Sequence, residues 1–204
     1  MSRELFDDYY QNNFWQSDES VSGGGSTLVQ TAAIRACLPQ VFDQYNIRTV
    51  LDIPCGDFNW WKEMQVDLDH YTGADIVPDL VAANQKKYGD ATHRFTFLDI
   101  TQHGLGTHDV IFCRDLLGHL SNREVKWALQ NVRDSKSTYL IATTFPQHEN
   151  VRDIETGQWR PINLTQYFGL PDPILYINEG CTEGGGQFSD KSLGLWFLRG
   201  ERYR

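Results

Sequence analysis

At 204 residues with a formal net charge of −9 and a pI near 5.0, the chain fits one ordinary domain with a buried core. Its acidity disfavours phosphate-tracking surfaces, anionic membranes and acidic substrates, and no dense Lys/Arg cluster marks a basic face. With 40% hydrophobic and 13% aromatic residues, it is not a disordered chain.

The first eight residues carry acids where a signal peptide needs an apolar stretch, and no run approaches the roughly 18 apolar residues of a membrane span. A cytoplasmic location is expected, with no membrane and no nucleic acid as partner. Cys37, Cys55, Cys113 and Cys181 are far apart with no CxxC pair, which predicts free thiols. Residues 1–26 are polar and aromatic and end in the run Ser22-Gly23-Gly24-Gly25-Ser26, a flexible turn or hinge. Trp15 precedes that hinge in a segment without a clear core pattern, so residues 9–27 are expected to form a lid. Ser26 or Thr27 caps a predicted helix over 27–45, with Leu28, Ala32, Ile34, Ala36, Leu38 and Val41 as its buried stripe. Short β-branched runs follow at 48–53, 70–75, 94–99, 108–113 and 137–144, with helices predicted over 78–88 and 121–134. This alternation predicts parallel strands with helices on both faces. Two further strands, 174–178 and 193–198, are joined by a Gly-rich loop without a crossover helix and must pair antiparallel. The expected fold is α/β: a Rossmann-like, doubly wound, seven-stranded mixed sheet in the order 3-2-1-4-5-7-6.

Ligands of such sheets lie at the C-terminal strand ends, where strand order reverses. The first strand runs into Asp52-Ile53-Pro54-Cys55-Gly56-Asp57, a turn with one glycine. A dinucleotide site needs G-x-G-x-x-G to cradle a pyrophosphate, and Asp52 and Asp57 would repel one. The same carboxylates suit a ligand carrying an ammonium and a sulfonium, which favours S-adenosylmethionine over NAD. Asp75 ends the second strand 19 residues after Gly56, where an acid hydrogen-bonds ribose hydroxyls. Asp99 ends the third strand, where it would accept from the adenine amino group. Arg114 and Asp115 end the fourth, beneath the expected methionine moiety and reactive methyl.

From about 27 to 198 the chain resembles the class I S-adenosylmethionine-dependent methyltransferases. It resembles most a bacterial subgroup with a Pro-Cys-Gly-Asp turn that shares Gly56-Asp57-Phe58-Asn59-Trp60 and the segment from Asn178 to Gly185. The usual turn of the superfamily is richer in glycine. The resemblance implies that Asp52 to Gly56 binds the aminoacyl end, Asp75 the ribose and Asp99 the adenine, with Ile76 and Ile100 as apolar walls. It also implies one methyltransferase domain over 1–204: an N-terminal lid and helix to 46, a cofactor-binding core over 47–145, and acceptor-side loops with the hairpin over 146–204.

Methyl transfer is an in-line displacement, helped by positioning and, for a hydroxyl, by a general base. Asp115 and His119 are the candidate bases. In the long loop between the last two strands, Glu179, Glu183 and Lys191 are candidate acceptor ligands. Trp15, Phe58, Trp60, Trp61 and Trp159 crowd the rim; Trp15 and Trp60 are assigned to the acceptor, and Phe58 with one tryptophan to the core. Arg152, paired with Arg160, is a candidate for an acidic group on the acceptor. No metal-binding cluster is assembled. The expected activity is methylation of a small polar acceptor, with a hydroxyl of a sugar, glycan precursor or secondary metabolite favoured over an amine. The alternatives are a protein or nucleic-acid methyltransferase and a non-catalytic cofactor-binding module.

Overall fold

The computed structural model describes residues 3–149 and 152–199, so the two ends of the expected 1–204 domain and residues 150–151 lie outside it. Its strands are β1 (Thr49–Asp52), β2 (His70–Asp75), β3 (His93–Phe97), β4 (Val110–Cys113), β5 (Tyr139–Thr144), β6 (Leu175–Asn178) and β7 (Ser192–Phe197). They form one sheet in the order β3-β2-β1-β4-β5-β7-β6, as expected. The first five pair in parallel, and β7 pairs antiparallel with both β5 and β6. Most strands fall a residue or two short of the predicted runs. Their flanks still bond into the sheet: Ile53 N–H donates to Phe112 O at 2.8 Å and Leu98 N–H to Asp75 O at 3.0 Å.

Alternate residues of the central strands bury opposite faces. Leu51, Ile111, Cys113 and Leu140 belong to one core, Val50, Val110, Phe112 and Ile141 to the other. A helix covers each face. The first core takes Val125, Ala128, Leu129 and Val132 of α4 (Asn122–Asp134), and the second takes Ile34, Leu38, Val41 and Phe42 of α2 (Ala32–Gln44). The α4 helix starts where a capping box places it: Ser121 Oγ accepts from Glu124 N–H and donates to the Glu124 carboxylate. Pro78 opens α3 (Pro78–Tyr88), matching the predicted helix. A single turn, α5 (Leu164–Tyr167), precedes β6.

Two expectations fail near the N-terminus. The helix predicted over 27–45 begins only at Ala32, because residues 24–26 form a separate 3-10 turn and Thr27 accepts backbone and side-chain bonds from Thr31. Ala32 and Ala36 face solvent, and Phe42 completes the buried stripe instead. An unforeseen helix, α1 (Arg3–Gln11), occupies the segment read as polar and aromatic. It packs Phe6 and Tyr10 on Ile76, Val77 and Leu80. All four cysteines are free, and no described helix is long and apolar enough to cross a membrane.

Candidate cofactor and acceptor cleft

Between β2 and β4 the connection reverses across β1, and a cleft of about 440 Å³ opens at these strand ends. Gly56 adopts φ +53, and a Cβ there would strike Ser22 Oγ, so the turn after β1 has room only for glycine. Asp75 holds this turn: its carboxylate accepts from Gly56 N–H at 3.2 Å and Val77 N–H at 3.1 Å. Asn84 of α3 donates to Gly56 O at 2.7 Å. Asp52 accepts from the Tyr71 hydroxyl at 2.6 Å. Burial pushes the Asp52 carboxyl up to about 8 against the Tyr71 hydrogen bond, and Asp75 up to about 6 against its backbone donors. Both line the cleft, and neither forms an ion pair among the described residues. A cationic ligand therefore fits this lining: it would favour the ionised form that burial penalises.

Pro54, Cys55, Gly56 and Ile76 line the same cleft. Asp57 also borders it, but its carboxylate accepts from Ser20 Oγ and Val21 N–H, both at 3.0 Å, and so pins the N-terminal segment to the turn. Asp99 and Ile100 do not reach the cleft. The Asp99 carboxylate accepts from Thr101 and Gln102 in its own turn, and Ile100 is core. Leu98, Val77 and Leu80 provide the apolar wall that Ile100 was expected to form. The wall thus lies two residues before Ile100, because the chain turns at Asp99, whose carboxylate caps the N–H of Thr101.

The charges lie at the other end. Arg114 is buried and donates Nε and Nη2 to Glu179 Oε2 at 3.1 and 2.7 Å, while Nη2 also reaches Gly25 O at 2.8 Å. Asp115 sits at φ +56, within 3.2 Å of Arg114 Nη1 and 2.7 Å of Lys191 Nζ, and Thr143 Oγ1 accepts its N–H. The two cations hold the Asp115 carboxyl well below its usual range despite burial, and its charge raises Lys191. Glu179 is buried under this network and away from the cleft surface; Glu183 is exposed at the mouth, beside Gly24 and Gly25.

His119 lines the cleft four residues beyond Asp115, with Nδ1 3.1 Å from Gln158 O. A carbonyl only accepts, so the neutral ring carries its proton on Nδ1 and leaves a lone pair on Nε2. Burial lowers the His119 pKa, outweighing the attraction of Asp115. Gly157 N–H donates to His119 O at 2.9 Å and Arg160 N–H to Gly118 O at 3.1 Å, which clamps this turn to the loop after β5. Trp15 lies 4.9 Å from the His119 ring, centroid to centroid.

Trp60 borders the cleft but is buried against Trp61 and Phe112, with the Arg114 guanidinium 5.6 Å from its ring. Phe58 and Trp61 are core, as expected. Arg152 is outside the cleft; it meets Arg160 at a second hollow with Glu149 and Pro161, and Arg160 is engaged by Leu120 O and Asn122 Oδ1. Phe6, Phe145 and Phe188 line the cleft without having been expected there, and Tyr9 and Tyr10 line it from the segment expected to form a lid. Leu5, Phe6, Tyr9 and Tyr10 share one helical face, the local signal that places Phe6 beside them.

No protein-family model and no curated protein matches the chain. Solved structures do. The N-methyltransferase NodS from Bradyrhizobium japonicum WM9, in complex with S-adenosyl-L-homocysteine, superposes with a TM-score of 0.65 at 13% identity, covering 94% of this chain and 99% of that one. The methyltransferase domain of bacterial CtHen1-CN gives 0.60 at 14% identity over 84% and 100%. The DhpI–SAM–HEP complex gives 0.55 at 17% identity over 72% and 67%. At such identities the likeness establishes architecture: the chain has the Rossmann-like fold of the class I S-adenosylmethionine-dependent methyltransferases.

Proposed function

We propose that the chain is a cytoplasmic S-adenosylmethionine-dependent methyltransferase that methylates a hydroxyl of a small molecule. One observation carries the cofactor assignment: two buried carboxylates, Asp52 and Asp75, flank a single-glycine turn at the point where strand order reverses. Asp52 and the turn to Gly56 would hold the aminoacyl end, Asp75 the ribose, and Ile76, Val77, Leu80 and Leu98 the adenine. The cofactor supplies a methyl group on a positively charged sulfur. Asp57 acts indirectly, by fastening residues 20–22 over the turn.

His119 is the base in this reading. Its Nε2 lone pair takes the hydroxyl proton, and the Gln158 carbonyl keeps the ring in the required tautomer. Asp115 is held too acidic by Arg114 and Lys191 to serve as a base; it anchors Lys191 and the turn leading to His119. Glu183 and Trp15 border the acceptor, whereas Glu179 acts through Arg114 and Lys191. The charge of −9 supports a small-molecule acceptor over a nucleic acid.

Calorimetry with S-adenosylhomocysteine and with NAD tests the cofactor assignment. Binding of the first alone is expected, and binding of NAD alone would refute it. Release of labelled methyl into pooled metabolites then separates an enzyme from a binding module: tight cofactor binding with no transfer to any pool favours the module.

A further inference from the structure

We propose that the methyl acceptor is a planar phenol, seated in an aromatic corner made by Phe145, Trp159 and Phe188 in the same cleft as His119; this rests on the methyltransferase reading above. The three rings come from the end of β5, the loop after it and the loop between β6 and β7. Their centroids lie 4.8 to 6.0 Å apart, and each pair of ring planes meets at 78° to 81°. Three nearly perpendicular rings form the corner of a box, which offers faces and edges to a flat ring. The corner is braced: Phe145 is buried, and a Cβ on Gly118 would come within 3.5 Å of Trp159 Nε1 and 2.8 Å of Arg160 O.

Hydrogen-bonding capacity argues against a sugar. A pyranose carries hydroxyls around its ring, and each one buried without a partner costs free energy. The three corner rings carry a single polar atom, the donor Trp159 Nε1. No Asn or Gln side chain lines the cleft among the described residues, its hydroxyls come from the N-terminal segment, and Asp115 and Lys191 hold each other. Proton affinity points the same way. A phenol ionises near pH ~10, within a few units of a neutral imidazole, whereas an aliphatic hydroxyl is far weaker as an acid. An ammonium also favours aromatic rings, but a protonated amine has no lone pair with which to attack the methyl. In the step, the phenol oxygen forms the new C–O bond while the methyl's bond to sulfur breaks and its electron pair stays on sulfur. The phenol proton passes to His119 Nε2 and then to water.

The test is binding to protein saturated with S-adenosylhomocysteine, using 4-methylphenol, 2-naphthol, methyl α-D-glucopyranoside and benzylamine as probes, followed by labelled-methyl transfer to each. At least one phenol is expected to bind and accept methyl at least about tenfold better than the other two. Trp159→Ala and Phe188→Ala should each weaken phenol binding by about tenfold while leaving S-adenosylhomocysteine affinity unchanged. Phe188 lies on a surface loop, so its variant remains informative if the Trp159 variant does not fold. Preference for the glucoside or the amine, failure of both phenols to bind, or phenol affinity unchanged in both variants would overturn the proposal. Loss of S-adenosylhomocysteine binding in the unmodified protein would instead strike the methyltransferase reading.

Discussion

Asp115 and His119 lie one helical turn apart in sequence, yet their surroundings drive them to opposite chemistry. Arg114 and Lys191 stabilise the Asp115 anion, so it holds no proton in the working range and has little affinity for one. His119 is half-buried beside the aromatic Trp15, and the loss of solvent keeps it neutral to below the usual histidine value of 6.5. In the proposed mechanism only neutral His119 accepts a proton. The transfer rate should therefore rise with pH along a limb centred below 6.5 and then level off. A pH–rate profile centred above 7 would contradict this assignment. His119→Gln should lower kcat by about 10²- to 10⁴-fold, the usual contribution of a general base. Its affinity for S-adenosylhomocysteine, measured by calorimetry, should stay unchanged; a parallel loss would make the residue structural.

At the scale of elements, the N-terminal segment is the part most dependent on the rest of the chain. Helix α1 has no fully buried residue, and a helix of this length is marginal by itself. It rests on the apolar wall through Phe6 and Tyr10 and on Gly157 through Leu5 and Tyr9. Gly157 has φ +100, and a Cβ there would collide with Leu5 and approach the Tyr9 hydroxyl to 3.0 Å. Gly157→Ala should cost about 2 kcal/mol from the left-handed backbone and the displaced helix, lowering Tm by roughly 4–8 °C. A calorimetric scan that shows no change would remove Gly157 from this contact. Residues 20–25 cover the cofactor turn through Asp57, Ser22 and the Gly25 carbonyl on Arg114. Bound S-adenosylhomocysteine should therefore slow proteolysis near Gly23, and equal cleavage with and without it would show that the segment is no lid. Such dependence explains what the sequence discloses. The strands and α4 are legible because β-branched runs and the helical spacing of Val125, Leu129 and Val132 are local signals. Helix α1 has an apolar face in Leu5, Phe6, Tyr9 and Tyr10, but the partners of that face lie some 70 and 150 residues away, beyond any local signal. The Arg114–Glu179 pair spans 65 residues, and no spacing rule joins two such side chains. Asp52, Asp75 and His119 line the cleft at or beyond their strand ends, whereas the Asp99 carboxylate turns into its own loop, where Thr101 and Gln102 donate to it.

For the molecule as a whole, the net charge of −9 and the buried acids of the cleft make cofactor binding a proton-linked event. Folding raises Asp52 to about 8 and Asp75 to about 6, both from 3.8. Groups raised in the folded state stabilise it below their unfolded pKa, and that contribution is lost as pH rises through about 6 and then about 8. Without ligand, the protein should therefore lose stability progressively as pH rises from 3.8, through both carboxyls up to about 6 and through Asp52 alone up to about 8. His119 works in the other direction, costing stability as pH falls below 6.5, so it opposes the carboxyls in the part of their interval that lies just below that value. A bound cation reverses the penalty on the carboxylates. It favours their ionised forms, so S-adenosylmethionine should displace a proton near pH 7, and its affinity should increase with pH until Asp52 is fully ionised. S-adenosylhomocysteine lacks the sulfonium charge and should displace fewer protons from the same site. Calorimetry in two buffers of different ionisation enthalpy measures the number released. If both ligands bind near pH 7 with no proton release, Asp52 and Asp75 do not carry the charge recognition assigned to them.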